Sequence, residues 1–119
     1  MDHTLQKLIY DVKQRLDKLK AQYLLLDKPS DKKDRALFEK VKRETDPLFT
    51  LIQQWYDESI QYSKMNAHTN VFPIQLQNTK DNFELVLMHS YYIDVPKKRY
   101  MELYHSIHYV LNQQLDDLQ

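Results

Sequence analysis

The chain has 119 residues, enough for one domain with a single core, and its 17 Lys and Arg balance 17 Asp and Glu, so no net charge attracts it to nucleic acid. It contains no cysteine, which excludes disulfides, thiolate nucleophiles and thiolate metal sites. It also contains no glycine, which excludes a phosphate-binding loop, a dinucleotide fingerprint and a G-x-S-x-G nucleophile turn, and leaves tight β-hairpins hard to build. The composition therefore predicts one all-α domain over 1–119.

The start of the chain shows neither the basic nor the apolar stretch of a secretory signal. The longest apolar runs are a few residues, far short of the roughly 20 needed to span a bilayer. A chain without cysteine also suits a reducing compartment. We therefore expect a cytoplasmic protein that does not associate with a membrane.

The first predicted helix covers 3–26 and has the clearest pattern in the chain. Its apolar residues are spaced alternately four and three apart, a period of 3.5, with charged residues between them. The seam consists of Leu5, Ile9, Val12, Leu16, Leu19, Tyr23 and Leu26. We expect this seam to face the core of a bundle.

A break follows at 27–31, where Pro29 interrupts the pattern and Ser30 or Asp31 would serve as an N-cap. A short second helix is predicted over 31–44. Its apolar side consists of Ala36, Leu37, Phe38 and Val41.

Asp46 and Pro47 form a typical helix start, because aspartate caps well and proline suits the first helical position. This pair predicts a third helix over 47–65. The alternative is a single helix over 31–65 that is kinked at Pro47. A kink would be expected there because a proline in a helix interior costs about 3 kcal/mol or more. The sequence leaves both interpretations open.

Residues 66–72 are predicted to be irregular. Pro73 would then open a helix that ends near residue 93, although Asn78 offers a later start. This segment is apolar on most sides, so we expect it to be the most buried helix. Its apolar residues are Phe83, Leu85, Val86, Leu87, Met88, Tyr91 and Ile93.

The last predicted helix starts near Pro96 and continues to the end of the chain, with a wide apolar stripe. Short connections usually join antiparallel neighbours. We therefore predict an up-and-down bundle of four principal helices, with 31–44 as a short extra or kinked element.

Several short stretches resemble the YppE-like family of Gram-positive bacteria. The resemblance is carried by Asp81, Asn82 and Phe83, by 85–87, by Ser90 and Tyr91, and by 97–100. It implies a small helical bundle from the cytoplasm of a bacterium. The family has no assigned activity, so the resemblance supplies no functional residue.

A metal site is one candidate for function. Ferritin-like di-metal bundles require two Glu-x-x-His motifs, and this chain has one, Glu102 with His105. Antiparallel helices joined at 94–96 would place Glu84 near His105 and Asp81 near His108. These four side chains either surround a metal ion or form ordinary polar pairs, and the low ligand count favours polar pairs.

The sequence Lys97-Lys98-Arg99 is the other candidate. Three cations in a first helical turn face the positive end of the helix dipole, an arrangement that suits an anion or an acidic partner. Alternatively, Asp94 and Glu102 offset these charges, which are then simply solvated.

No catalytic residue, enzyme activity or cofactor is predicted. The favoured hypothesis is a non-enzymatic binding or adaptor protein that recognises a protein partner or a second copy of itself. The alternative is a metal-binding bundle or metal-dependent enzyme. A third hypothesis, nucleic-acid binding through the net +4 of 1–45, is disfavoured by the neutral total charge.

Overall fold

The computed structural model describes residues 3–25, 34–92 and 95–119, and these contain four helices and no strand. The helices are α1 (Thr4–Leu25), α2 (Arg35–Met65), α3 (Pro73–His89) and α4 (Lys97–Asp117). Each helix packs against the next one in the chain, and α4 packs back against α1. The prediction of an all-α up-and-down bundle is therefore confirmed.

The seam predicted for α1 is the buried face of that helix. All its members from Leu5 to Tyr23 are buried, and Ile9, Val12 and Leu16 have no exposed surface. Leu26, the last predicted member, lies outside the described residues. The period of 3.5 therefore identified the core face of α1 correctly, as expected for a helix that packs along its length against neighbours.

The second and third predicted helices are one continuous helix, α2, with Pro47 in its interior. Pro47 is exposed, so water can solvate the carbonyl that the missing N–H leaves without a partner. On the opposite side, Thr45, Leu48 and Ile52 are buried and keep both halves of the helix against the core. The predicted separate element at 31–44 is therefore the first part of α2, and Asp46 is not an N-cap.

The N-cap of α2 is Asp34, whose Oδ1 accepts a hydrogen bond of 3.2 Å from the Leu37 backbone N–H. This is the usual geometry for an aspartate cap. The caps proposed from the sequence, Ser30 and Asp31, lie outside the described residues.

α3 begins at Pro73, as predicted, and the Phe72 N–H is satisfied by the Gln75 side chain at 2.9 Å. The helix ends at His89, four residues before the predicted boundary. The expectation that it is the most buried helix is wrong, because Leu85 and Met88 are exposed and α4 buries more of its residues.

A buried polar network joins α2 and α4 across the middle of the bundle. Trp55 Nε1 donates to Gln114 Oε1 at 2.9 Å, and Gln114 Nε2 donates to Ser59 Oγ at 2.8 Å. Trp55, Ser59 and Gln114 are all buried. A network whose members satisfy one another favours one register, since any slip would leave them unpaired.

The connection between α2 and α3 is held against the end of α4 by one carboxylate. Asp117 accepts hydrogen bonds from the Thr69 hydroxyl and from the backbone and side chain of Asn70. The Tyr62 hydroxyl also donates to the Asp117 carbonyl, at 3.3 Å. These contacts close one end of the bundle.

Two further properties concern the described residues as a whole. Within them, no helix combines the length and the apolar character needed to cross a membrane. No backbone φ in these segments is positive, as expected for a chain without glycine.

Candidate functional site

The predicted cationic surface lies in the first turn of α4. Lys97, Lys98 and Arg99 are all exposed, and Arg99 Nη1 lies 3.5 Å from Glu102 Oε2. The expected partial offset by Glu102 is therefore present, whereas Asp94 lies outside the described residues. Exposed pairs of this kind contribute little to stability, so these residues are not required to hold the helix in place.

The fold brings this cationic turn to the same end of the bundle as the basic stretch of α2. The C-terminal turns of α1 and α3 also lie at this end, because successive helices run in opposite directions. Two hydrogen bonds join the end of α1 to the residues between α3 and α4. Gln22 donates to the Ser90 carbonyl at 3.1 Å, and Tyr23 donates to the Val95 carbonyl at 3.2 Å.

We call this region the basic end and define it as the described residues 19–25, 34–44, 88–92 and 95–102. It contains eight Lys and Arg against four Asp and Glu. The cations are Lys20, Arg35, Lys40, Lys42, Arg43, Lys97, Lys98 and Arg99. The sequence shows these charges as two separate stretches, which the antiparallel fold combines.

Three of the four carboxylates at the basic end already have partners. Asp34 caps α2, Glu44 is hydrogen-bonded to Tyr91, and Glu102 lies beside Arg99. Among the described residues, most of the cations therefore have no carboxylate partner, and the basic end carries a positive charge that solvent or a ligand must compensate.

An open apolar groove lies between α2 and α3 at the basic end. Its volume is about 550 Å³, within the roughly 300–1,000 Å³ typical of binding sites. It is lined by Phe38, Val41, Lys42, Thr45, Phe49, Met88, His89 and Tyr92. Most of this surface is apolar or aromatic, and Lys42 carries the one full charge among the lining side chains.

Two residues give the groove its exposed apolar surface. The side chain of Phe38 is 55% exposed and that of Met88 is 39% exposed, although both are of types that normally bury. Leu85, one turn before Met88 on α3, is also exposed and extends the same apolar strip. Contiguous exposed apolar surface of this kind marks interaction sites more often than an isolated apolar residue does.

Side-chain contacts also join α2 to α3 beyond the groove. Farther from the basic end, the Tyr56 hydroxyl donates to Gln77 Oε1 at 3.0 Å, and Lys80 Nζ lies 5.2 Å from the centre of the Tyr56 ring. Closer to the basic end, Thr45 lies between Phe38 and Phe49 in the part of the groove lining that α2 supplies.

The wall formed by the end of α3 is fixed from behind by α1 and α4. Ser90 Oγ donates to the Val86 carbonyl at 2.6 Å and lies 2.7 Å from the Tyr100 hydroxyl. The Tyr100 ring stacks on Tyr23 with centroids 3.8 Å apart. Burial raises the pKa of Tyr100 to about 12, because the phenolate would lose its hydration. The groove therefore has a preformed wall.

The four side chains considered as a metal site do not come together. No group of three or more His, Asp and Glu with metal-binding geometry occurs in the described part of the chain. Glu84 lies 3.9 Å from Lys80 and Asp81 accepts from Gln77, both within α3. The structure thus gives no support to the metal-binding alternative.

His108 contacts α1, because that helix also lies against α4. His108 Nε2 is 2.9 Å from Asp17 Oδ1, and the Tyr104 hydroxyl donates to the same oxygen at 2.6 Å. Lys20 Nζ lies 4.6 Å from the centre of the Tyr104 ring, and Lys13 donates to Asn112 at 2.8 Å. We call these six residues the α1–α4 seam. The sequence prediction placed His108 beside Asp81 of α3, and it did not include a contact with α1.

Asp17 is the acceptor at the centre of the α1–α4 seam. Partial burial raises its pKa, but the hydrogen bonds from Tyr104 and His108 and the charges of His108 and Lys20 outweigh burial, so its pKa lies below the usual value. Burial and the bond to Asp17 raise the pKa of Tyr104. All these groups are satisfied by one another, as in a structural contact.

A second opening, of about 600 Å³, lies at the opposite end of the bundle. It is lined largely by amide, carboxylate and imidazole side chains, among them Gln6, Glu58, Gln61 and His68. It differs from the groove in the many polar groups that accompany its apolar side chains, which include the exposed Met65.

The cations at 97–99 are predicted from the sequence, whereas the groove is not. The available signal was in α3, where apolar residues occur on too many sides for one buried face. Leu85 and Met88 are the surplus residues, and they were assigned to the core instead of to a second, exposed face.

These features define the protein as a small up-and-down four-helix bundle with an open apolar groove at a basic end. The chain belongs to the family described as a bacterial domain of unknown function, DUF1798, which matches residues 6–118. The resemblance to YppE-like proteins is thereby confirmed. None of the curated proteins matches the chain.

Two solved structures of protein YppE from Bacillus subtilis have the same fold. The solution NMR structure is 20% identical with a TM-score of 0.76, over 95% of this chain and 90% of that one. The X-ray crystal structure is also 20% identical, with a TM-score of 0.78 over 94% of this chain and 89% of that one. At this identity the similarity shows the shared fold alone.

Proposed function

We propose that this chain is a non-enzymatic protein-binding module whose apolar groove receives a helix from a partner protein. The observation that carries the proposal is the open groove of about 550 Å³, whose lining includes the exposed side chains of Phe38 and Met88. Aromatic residues and methionine are enriched in the cores of protein interfaces, and both line this groove. The absence of cysteine from the sequence is suited to a role in the cytoplasm.

The dimensions of the groove favour a short helix as the occupant. Its lining on α2 extends from Phe38 to Phe49, a distance of about 17 Å at 1.5 Å per residue. A partner helix of about three turns spans this length and offers apolar side chains at positions i, i+4 and i+7. Such a helix packs between α2 and α3 much as a further member of the bundle would.

A matched pair of variants tests the proposal. Phe38→Glu places a charge in the groove, whereas Phe72→Glu changes the same residue type, with similar exposure, outside the groove: the two phenylalanines are 55% and 58% exposed. The wild type and both variants are used as baits in a bacterial lysate. Candidate proteins are then purified and mixed with each bait, and binding is measured by calorimetry.

We expect at least one purified protein to bind the wild type and Phe72→Glu with similar affinity. Binding to Phe38→Glu should weaken by at least about tenfold, since a buried unpaired charge at an interface costs more than 1.4 kcal/mol. If no purified protein distinguishes the Phe38→Glu bait from the other two, the groove is not a docking site.

A further inference from the structure

We propose that the partner of the groove is an acidic amphipathic helix, with carboxylates beside its apolar anchors. This inference rests on the proposed function, and it names the chemistry of the partner. It follows from the position of the groove, because six of its eight lining residues belong to the basic end.

The charge closest to the bound helix is that of Lys42. Its side chain is part of the groove lining and is exposed, and no described carboxylate forms an ion pair with it. A carboxylate on the partner, adjacent to an anchor residue, would pair with this ammonium at the edge of the interface. A basic partner would instead place like charges together, which is unfavourable and opposes binding.

The electrostatic field from the other charges of the basic end is also positive. Arg35 lies two helical turns before Lys42 on the same face of α2, and Lys97 and Lys98 extend from the first turn of α4. The four carboxylates at the basic end offset half of its eight cations, which leaves a net charge of +4. Long-range attraction of an acidic segment should therefore raise its association rate and weaken as salt screens it.

Acidic side chains on α2 limit where the partner's carboxylates can lie. Glu39 and Asp46 are exposed, three residues before and four residues after Lys42. The partner's negative charges should therefore concentrate opposite Lys42 and toward α4, not along the whole of α2. It also follows that Glu39→Lys should strengthen the binding of an acidic helix, whereas Lys42→Glu should weaken it.

The experiment uses a displayed library of helical peptides. Leucine is fixed at i, i+4, i+7 and i+11, and the remaining positions contain Glu, Lys, Gln and Ala in equal amounts. The library is selected on the full-length wild type and depleted on Phe38→Gln, an uncharged variant, so that the recovered peptides depend on the groove and the depletion itself does not favour acidic peptides. Recovered peptides are then titrated against the wild type, Lys42→Glu and Glu39→Lys at two salt concentrations.

We expect the recovered peptides to be enriched in Glu over Lys and to bind more weakly in high salt. Lys42→Glu should reduce their affinity by roughly threefold to tenfold, and Glu39→Lys should increase it, because each changes one charge at the rim. The opposite responses of two exposed positions distinguish an electrostatic effect from a loss of folding.

Two results would overturn the inference, and they differ in what they leave standing. If peptides that require the groove are recovered without enrichment in Glu, the partner is not acidic, and the groove is still a docking site. Failure to recover any peptide that depends on Phe38, together with wild-type self-association that Phe38→Glu abolishes, would remove both and assign the groove to a second copy of the chain.

Discussion

The α1–α4 seam and the α2–α3 groove are both contacts between antiparallel helices, yet one is closed and the other open. In the seam, Tyr104 and His108 converge on Asp17, and Lys20 covers the Tyr104 ring. In the groove, Phe38 and Met88 line unfilled space and both remain exposed. The difference lies in polar pairing, because long polar side chains bond across the α1–α4 seam, whereas Lys42 in the groove lining has no carboxylate partner among the described residues.

In this small bundle, one contact between helices contributes to stability, and another leaves surface available for binding. A closed seam satisfies its polar groups internally and offers little for a ligand to bind. An open groove leaves apolar area in contact with water, and a partner that covers that area recovers roughly 25 cal/mol for each Å². Substitutions in the two regions should therefore have opposite patterns of effect on stability and on binding.

The largest expected difference is between Tyr104→Ala and Phe38→Ala. Tyr104 is buried, so its truncation leaves a cavity and should lower the free energy of unfolding by about 3–5 kcal/mol. Phe38 is more than half exposed, and its truncation should change that free energy by about 0.5 kcal/mol or less. Urea unfolding followed by circular dichroism measures both. Equal losses would mean that the groove belongs to the core.

The next largest expected effect is a loss of folding stability at alkaline pH, which arises from Tyr91 and Tyr100. Burial raises the pKa of both Tyr91 and Tyr100 to about 12 from 10. Between these pH values the unfolded chain loses protons that the native state keeps, so each tyrosine contributes a loss of about 1.4 kcal/mol of stability per pH unit as pH rises. Urea unfolding at a series of pH values should show this loss.

Tyr100→Phe is the control for the alkaline effect, because it removes one titrating group and keeps the ring that stacks on Tyr23. The variant is expected to lose stability less steeply above pH 10, although it starts lower without the bond to Ser90. An unchanged slope would contradict the assignment of this titration to Tyr100.

The smallest effect is the coupling between Asp17 and Tyr104. A double-mutant cycle with Asp17→Asn and Tyr104→Phe should give a coupling of about 1 kcal/mol, at the low end for a bond to a charged acceptor because Asp17 is largely exposed. The coupling should disappear as pH falls below the lowered pKa of Asp17, since the carboxylate then becomes neutral. A coupling that persists in acid would show that the charge of Asp17 is not its source.

Much of the fold was predictable because hydrophobic period is a local property. The spacing of apolar residues predicts the buried face of α1 from Leu5 to Tyr23. The fixed φ of proline predicts the start of α3 at Pro73. The sequence left open whether Pro47 starts a helix or lies inside one, and the buried residues on both sides of it favour the continuous helix α2 over its local preference for a helix start. Tertiary packing often overrides a single-residue preference in this way.

The candidate site was only half predictable. The cations at Lys97, Lys98 and Arg99 are visible in the sequence, but their combination with Lys42 depends on which helix ends meet. The groove depends on how closely two particular helices approach, and no pattern within one helix contains that information. His108 shows the same limit, because its partner Asp17 is 91 positions away in the sequence.

The absence of positive φ in the described backbone has a consequence for the unfolded chain. Glycine contributes more conformational freedom to an unfolded chain than any other residue, and this sequence has none to lose. Each alanine-like residue in place of glycine at a compatible position is worth about 0.4–1 kcal/mol through the entropy of the denatured ensemble. This bundle therefore draws part of its stability from a restricted unfolded state.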